Sequence, residues 1–140
     1  MSGVTLRALV AVVLFVHGIG HVMGVLPAFG LATESWNSRS WLLTPFLGET
    51  ISRILSIILF LVALVGFVAS SLALLGWLVP HDWWRTLAVV SAVISIVTIV
   101  LFWNAFVAFF PNKVGALGVD IAVLVCLLVA NWPAEAMLGY

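Results

Sequence analysis

The chain has 140 residues, of which 65% are hydrophobic and 7% are charged, and its five basic and five acidic side chains give no net charge. Ordinary soluble domains contain about 25% charged residues, so this chain has too few to cover a soluble surface. The composition excludes a cytosolic globular enzyme, a disordered segment and, without a basic excess, a nucleic-acid binder. It predicts one integral membrane domain over residues 1–140, with the lipid bilayer as its first partner.

Four apolar stretches are long enough to cross a bilayer, which takes about 20 residues. They lie at about 8–31, 54–79, 86–110 and 114–132. The first lacks the small-residue cleavage pattern of a signal peptide, so we interpret it as a retained helix. The predicted fold is all-α: an antiparallel four-helix transmembrane bundle.

The connections define two faces of this predicted bundle. Side A carries both termini and the turn at 81–85, and side B carries the connection at 33–50 and the turn at 111–113. Gly48 is expected to break the second helix, because a helix from residue 45 to 79 would be about 52 Å long. We expect a multi-pass protein of the cell membrane with both termini in the cytoplasm, since the longest connection would then lie outside.

One polar group from each predicted span falls at a similar depth below side B. At 1.5 Å per residue, His21, Asn104 and Asp120 lie about 10 Å inside that face, Arg53 enters beside them, and His17 is one turn deeper. A carboxylate in hydrocarbon costs about 2.5–3.5 kcal/mol on insertion scales, so it is usually paired or faces a cavity. The sequence therefore predicts an interior-facing polar layer.

Two interpretations of this layer are open. In the structural one, Asp120 pairs with Arg53 or Lys113 or accepts a hydrogen bond from Asn104, and the histidines hold the helices together. In the functional one, the layer binds a ligand, an ion or a proton. The candidate site residues, all polar and all in this layer, are His17, His21, Arg53, Asn104 and Asp120.

The histidine pair limits the cofactors that this site could take. His17 and His21 share a helix face, so they could hold one metal ion with Asp120 as a third ligand. Gly18 stands where a zinc protease of this spacing needs a glutamate, which excludes that chemistry. The third histidine, His81, belongs to side A, so two axial histidines for a haem are not expected. A metal ion, a quinone or a pigment held by a single histidine remain open.

Small residues mark one face of the fourth span: Gly118, Ala122, Cys126 and Ala130. Asp120 lies about 200° around the helix from the first of them. If Asp120 faces the interior, this stripe is free to contact a second copy of the chain or a larger membrane complex.

A resemblance supports the four-span architecture. The run V-H-G-I-G-H-V-M-G at 16–24, followed by A-F-G-L-A at 28–32, resembles a widespread group of small bacterial four-span membrane proteins whose first helix carries His-Gly-x-x-His-x-x-Gly. The residues at 51–53 and the Trp pair at 83–84 are also similar. No activity is established for that group, so the resemblance implies architecture. A fainter likeness links the chain to DoxX-like four-helix membrane proteins, some of which are associated with quinone-linked oxidoreductases.

We therefore predict a small multi-pass protein that acts as a binding or accessory subunit with an intramembrane His/Asp/Asn/Arg site. One alternative is a small proton- or cation-coupled transporter in which Asp120 and the histidines carry the proton or cation. The other is a metal- or quinone-dependent membrane enzyme. The internal repeat typical of many transporters is not evident in the sequence.

Overall fold

The structure, a computed structural model, describes residues 2–31, 36–106 and 109–139, and this part of the chain is helical without strands. Its α-helices are α1 (Gly3–Gly20), α2 (Val22–Val25), α3 (Leu43–Leu74), α4 (Trp84–Leu101) and α5 (Val114–Leu124). Tight 3-10 turns occupy Leu26–Phe29, His81–Trp83, Trp103–Ala105 and Glu135–Leu138, and wider π-helical turns occupy Phe109–Lys113 and Val125–Val129. The start of the predicted first connection, at 33–35, and positions 107 and 108 of the predicted third span lie outside the described residues.

Within the described residues, three helical stretches are long and apolar enough to cross a membrane: Gly3–Phe29, Leu43–Leu74 and His81–Leu101. The fourth apolar helix, Val114–Val129, is shorter. These helices suit a membrane protein, because a helix pairs its own backbone N–H and C=O groups and lipid offers them no other partner.

Hydroxyl side chains lie inside the bundle beside buried aromatic rings, and many aliphatic side chains lie on its outer surface. Ser70 on α3 donates its hydroxyl to the carbonyl of Trp84 on α4 at 2.7 Å, and Ser71 donates to the carbonyl of Ala11 on α1 at 2.8 Å. Both serines are at most 3% exposed, whereas Val65 on α3 is 59% exposed. This arrangement suits lipid, where small hydroxyl residues join helices and apolar side chains need no cover.

The helices pack in chain order, and two close contacts use glycine. The longer helices contact each other as α1 against α3, α3 against α4, and α4 against α5. A Cβ on Gly18 would lie 2.9 Å from the Cβ of Phe67, and one on Gly66 would lie 2.1 Å from the Oγ of Ser91. Because α1 and α5 pack mainly on other helices, an open cleft remains between them.

Three helix boundaries follow local chemistry. α1 begins before the predicted residue 8 because the hydroxyl of Ser2 accepts the N–H of Thr5 at 3.2 Å and caps the helix. The predicted break at Gly48 is confirmed by its φ of 80° and ψ of 169° inside α3. α3 ends at Leu74 instead of near residue 79, because Gly76 adopts a φ of 71°.

The end of α4 differs most from the prediction. The helix ends at Leu101 instead of near residue 110. The connection before α3 supplies the reason: Ser40 Oγ donates to the carbonyl of Leu101, and Trp41 Nε1 donates to the carbonyl of Val100 at 2.7 Å. These side chains satisfy carbonyl groups that a longer helix would have used.

Polar contacts hold the segment after α5 against the start of α4. Glu135 accepts hydrogen bonds from Nε2 of His81 at 3.0 Å and from Nε1 of Trp84 at 3.1 Å, and Arg85 donates to Asn131 Oδ1 at 2.8 Å. Partial burial alone would raise the pKa of the Glu135 carboxyl. The two hydrogen bonds and the charges of His81 and Arg85 outweigh burial and lower this pKa below its usual value.

Candidate functional site

Asp120 is the buried centre of a polar cluster that joins three helices. Its side chain on α5 is 0% exposed. Oδ1 lies 2.7 Å from Nε2 of His17 on α1, and Oδ2 accepts a hydrogen bond from Oγ of Ser95 on α4 at 2.6 Å. The prediction that Asp120 faces the interior is confirmed.

His21 completes the cluster through its two ring nitrogens. Nε2 lies 2.7 Å from Oγ of Ser95, and Nδ1 lies 3.0 Å from the backbone carbonyl oxygen of His17. The backbone N–H of His21 bonds to the carbonyl of Gly18 at 3.0 Å, three residues back, where α1 ends. Because this N–H bonds three residues back instead of four, the His17 carbonyl can accept the hydrogen bond from the imidazole of His21.

Aromatic rings from α3 form the wall behind both histidines. The ring of Phe67 lies edge-on to His17, with 4.7 Å between ring centroids, and 5.7 Å from the ring of His21. Phe60 lies 6.3 Å from His21, and the two imidazoles meet edge to face at 5.0 Å. This packing fixes the ring planes, so the hydrogen-bonded nitrogens have fixed directions.

The hydrogen bonds of the cluster define its proton content. The His17 carbonyl only accepts, so Nδ1 of His21 carries a hydrogen. Ser95 has a single hydroxyl hydrogen but contacts both Nε2 of His21 and Oδ2 of Asp120. If Ser95 donates its hydrogen to Asp120, Nε2 of His21 must carry a hydrogen and donate it to Ser95. If Ser95 donates to His21 instead, Oδ2 of Asp120 must carry a hydrogen and donate it to Ser95. Satisfying every contact therefore requires one proton more than a carboxylate with neutral imidazoles.

The structure does not bring all predicted site residues together. Arg53 and Asn104 are exposed, and Lys113 Nζ lies 5.1 Å above the ring of Trp103. Among the described residues, none of these three polar side chains bonds to Asp120, so the predicted partners of Asp120 are wrong. For Asn104 the cause is the early end of α4, which places it in the 3-10 turn beyond the helix.

Ser95 is the site residue that sequence reasoning missed. It lies six positions before the end of α4 at Leu101, or about 9 Å at 1.5 Å per residue. Asp120 lies six positions after the start of α5 at Val114. Because α4 ends at Leu101, Ser95 and Asp120 lie at the same depth. A helix that continued to residue 110 would place Ser95 in the opposite half of the bilayer.

A cleft between α1 and α5 leads to this cluster. It has a volume of about 650 Å³, and its walls are mostly apolar, with His17 and His21 among its lining residues. Gly20 on α1 and Gly115 on α5 also line it, and a Cβ on Gly20 would meet no atom within 4 Å. A second space of about 450 Å³ lies further along the same two helices with a wholly apolar lining. The first space, which we call the α1/α5 cleft, therefore combines mostly apolar walls with the polar side chains of His17, His21 and Asn112.

The donor set does not support the hypothesis of a metal site at His17, His21 and Asp120. Within the ranges that the structure describes, no group of three or more His, Cys, Asp or Glu side chains is arranged to hold a metal ion. Three of the four ring nitrogens of the two histidines have different partners: Nε2 of His17 bonds to Asp120, and the two nitrogens of His21 face Ser95 and a backbone carbonyl. The geometry is that of a hydrogen-bonded chain.

No protein-family model matches the chain, and no curated protein and no solved structure is detectably similar to it. The resemblance to small four-span bacterial proteins and the fainter DoxX-like likeness therefore stay predictions, and the functional argument depends on the site itself.

Proposed function

We propose that this protein is a small membrane-embedded binding subunit that takes up a lipid-soluble ligand laterally into the α1/α5 cleft. The observation that carries the proposal is the cleft itself: mostly apolar walls line about 650 Å³, and the polar side chains among them are His17, His21 and Asn112. Ligand pockets are typically about 300–1,000 Å³ in volume, mostly apolar, and carry a few polar groups that fix ligand orientation.

The proposal includes four antiparallel membrane-spanning helices, with Val114–Val129 as the fourth. The backbones of Gly3 and Gly139 pack against each other, so that a Cβ on Gly3 would lie 2.8 Å from the nitrogen of Gly139. This contact supports an even number of spans with both termini on one side of the membrane, and we propose that this side is the cytoplasmic face of the cell membrane. Reporter fusions at residues 2 and 140 test this, and opposite compartments would overturn it.

A photoreactive probe tests the binding proposal directly. The probe is a long-chain alcohol carrying a diazirine, added to the protein in lipid nanodiscs, with the labelled residues mapped by mass spectrometry. We expect labelling to concentrate on cleft residues such as Met23 and Val16. Gly20→Leu should abolish it, because the new side chain enters the empty cleft without a clash.

Gly118→Leu is the matched control. Gly118 is also a helical glycine whose Cβ would meet no atom within 4 Å, but it is not among the residues that line the cleft. Its variant should keep the labelling pattern. Labelling spread evenly over the lipid-facing surface and unaffected by Gly20→Leu would overturn the proposal.

A second candidate function, proton transfer, is favoured by the proton content of the cluster. One proton can occupy His21 or Asp120, and Ser95 bridges the two sites. Ser95→Ala should abolish proton flux in liposomes that contain the protein while leaving the chain folded. Absence of flux for the unchanged protein would eliminate this candidate and leave the binding proposal intact.

We also propose that the small-residue stripe on α5 contacts a second copy of the chain or a larger membrane complex. Gly118, Ala122 and Ala130 are exposed, Cys126 is partly buried, and Asp120 faces the opposite, interior side. Crosslinking of two copies through Cys126 in nanodiscs tests the homo-oligomer, and co-purification of the intact protein from its membrane tests the larger complex.

A further inference from the structure

We propose that the ligand of the α1/α5 cleft bears a hydroxyl group and that this hydroxyl donates a hydrogen bond to Nδ1 of His17. The inference rests on the proposed function and adds the chemical class: a neutral, lipid-soluble alcohol or phenol with a hydrocarbon tail. Three observations carry it: the tautomer of His17, the free nitrogen on its ring and the shape of the cleft around it.

Asp120 sets the tautomer of His17. Nε2 of His17 lies 2.7 Å from Oδ1 of Asp120, and a carboxylate oxygen only accepts, so Nε2 carries the hydrogen. In the neutral imidazole, Nδ1 is then an acceptor. The same holds if the extra proton of the cluster sits on Oδ2 of Asp120, because Oδ1 still faces Nε2.

The ring nitrogen without a partner belongs to a residue that lines the cleft. The His17 side chain is nine-tenths buried, with a relative exposure of 9%, and its ring lines the cleft. Nδ1 bonds to no group in the described part of the chain, and it is not among the buried polar atoms without a partner, so it remains accessible. In an apolar cleft, no water donates a hydrogen bond to an acceptor that the ligand leaves unpaired. Nδ1 therefore favours a head group that donates a hydrogen bond over one that does not.

The surroundings select a neutral donor. Around His17, α1 contributes His21, α3 contributes only phenylalanine rings, α4 contributes Ser95, and α5 contributes Asp120. No Lys, Arg or Glu of the described residues pairs with this group, and the cluster is neutral when it holds its extra proton. A charged head would remain uncompensated in hydrocarbon. A head group with only carbonyl oxygens, such as a quinone, has no hydrogen to donate. Its oxygen lone pairs would face the lone pair of Nδ1 and repel it.

The cleft also accommodates a tail. It follows α1 and α2 from Val12 to Gly24, which is about 18 Å at 1.5 Å per residue. His17 lies near the middle of that length. A hydroxyl placed at His17 leaves an apolar arm of about 10 Å toward Gly24, backed by Phe60 and Phe106.

The test uses three probes of nearly equal shape: 4-octylphenol, 4-octylanisole and octylbenzene. Each is added at the same mole fraction to the protein in nanodiscs, and binding is measured by competition against the photoreactive alcohol. We expect the phenol to compete about tenfold better than the methyl ether or the hydrocarbon, the value of one hydrogen bond of about 1.4 kcal/mol. In ¹⁵N NMR of histidine-labelled protein, the phenol alone should shift the Nδ1 resonance of His17.

Two variants separate recognition from shape. His17→Phe keeps an aromatic ring beside Phe67 but has no nitrogen, so the three probes should compete equally. Ser38→Ala changes a residue that is not among those lining the cleft, so it should keep the preference for the phenol. Equal competition by all three probes in the unchanged protein would overturn the hydroxyl inference while leaving the binding proposal standing. Failure of all three to compete, with labelling insensitive to Gly20→Leu, would overturn the binding proposal itself.

Discussion

Gly20 and Gly24 lie one helical turn apart, yet a Cβ added to the first would enter open space and one added to the second would lie 2.5 Å from the ring of Phe60. The G-x-x-x-G spacing of these two glycines predicts one close-contact pair. Both glycines line the cleft, but the structure leaves Gly20 open and packs Gly24 directly against Phe60. This difference gives a direct test of the cleft geometry.

Gly24→Ala should destabilise the protein by about 1–3 kcal/mol, because the methyl group forces the Phe60 ring or the helix to move. Gly20→Ala should be neutral or stabilising by up to about 1 kcal/mol, because alanine favours helix and meets no neighbour. Thermal unfolding of both variants in the same detergent measures the difference. Equal costs for the two substitutions would contradict the described packing.

The partners of Asp120 predict an ordered series of stabilities. Asp120→Ala leaves Nε2 of His17 and the hydroxyl of Ser95 without their acceptor, which should cost about 3–5 kcal/mol. Asp120→Asn retains one acceptor oxygen and should cost less. Unfolding in nanodiscs gives the order. If both variants match the unchanged protein, the carboxylate does not join α1, α4 and α5.

Ser95 and Asn104 show how far the sequence predicts this site. Counting residues from helix ends placed Asp120 and His21 in one layer correctly, because helix geometry converts position into depth. The same count failed for α4, since an apolar run does not show where a helix ends when side chains from another segment cap it. Ser40 and Trp41 supply that cap, and no local pattern in the α4 sequence reveals it.

The cap on α4 can be tested by removing it. Ser40→Ala should lower the free energy of unfolding by about 1–3 kcal/mol, because the carbonyl of Leu101 and two backbone N–H groups lose the same hydroxyl. Ser38→Ala is the control, since the Ser38 hydroxyl makes no hydrogen bond within the described ranges. Amide hydrogen exchange should rise in the last turn of α4 in the first variant. Unchanged exchange there would show that the helix ends for another reason.

Acid should loosen the segment that follows α5. The pKa of Glu135 is lower in the folded protein than in the unfolded chain, so its stabilising effect is complete above the ordinary carboxyl pKa. It is lost as the pH falls through the lowered value. The carboxylate is half exposed, so we expect a loss of about 1 kcal/mol or less. Tryptophan fluorescence between pH 6 and pH 2 should follow the change near Trp84.

Glu135→Gln provides the comparison for this pH dependence. The amide keeps one acceptor oxygen for His81 or Trp84, which donate to different oxygens of the carboxylate, and it has no charge to lose. Its stability should be lower at neutral pH and insensitive to acid over the same range. A variant with the pH profile of the unchanged protein would assign the transition to another group.

The shortness of the fourth apolar helix has a consequence for the surrounding lipid. Val114–Val129 is about 24 Å long at 1.5 Å per residue, whereas the hydrocarbon core of a typical bilayer is about 30 Å thick. In the proposed four-span arrangement, acyl chains beside α5 are therefore compressed, while those beside the longer α3 are not. This hydrophobic mismatch is greatest at one wall of the cleft, so its mouth opens into the thinnest and least ordered part of the bilayer, and the protein as a whole favours thin membranes.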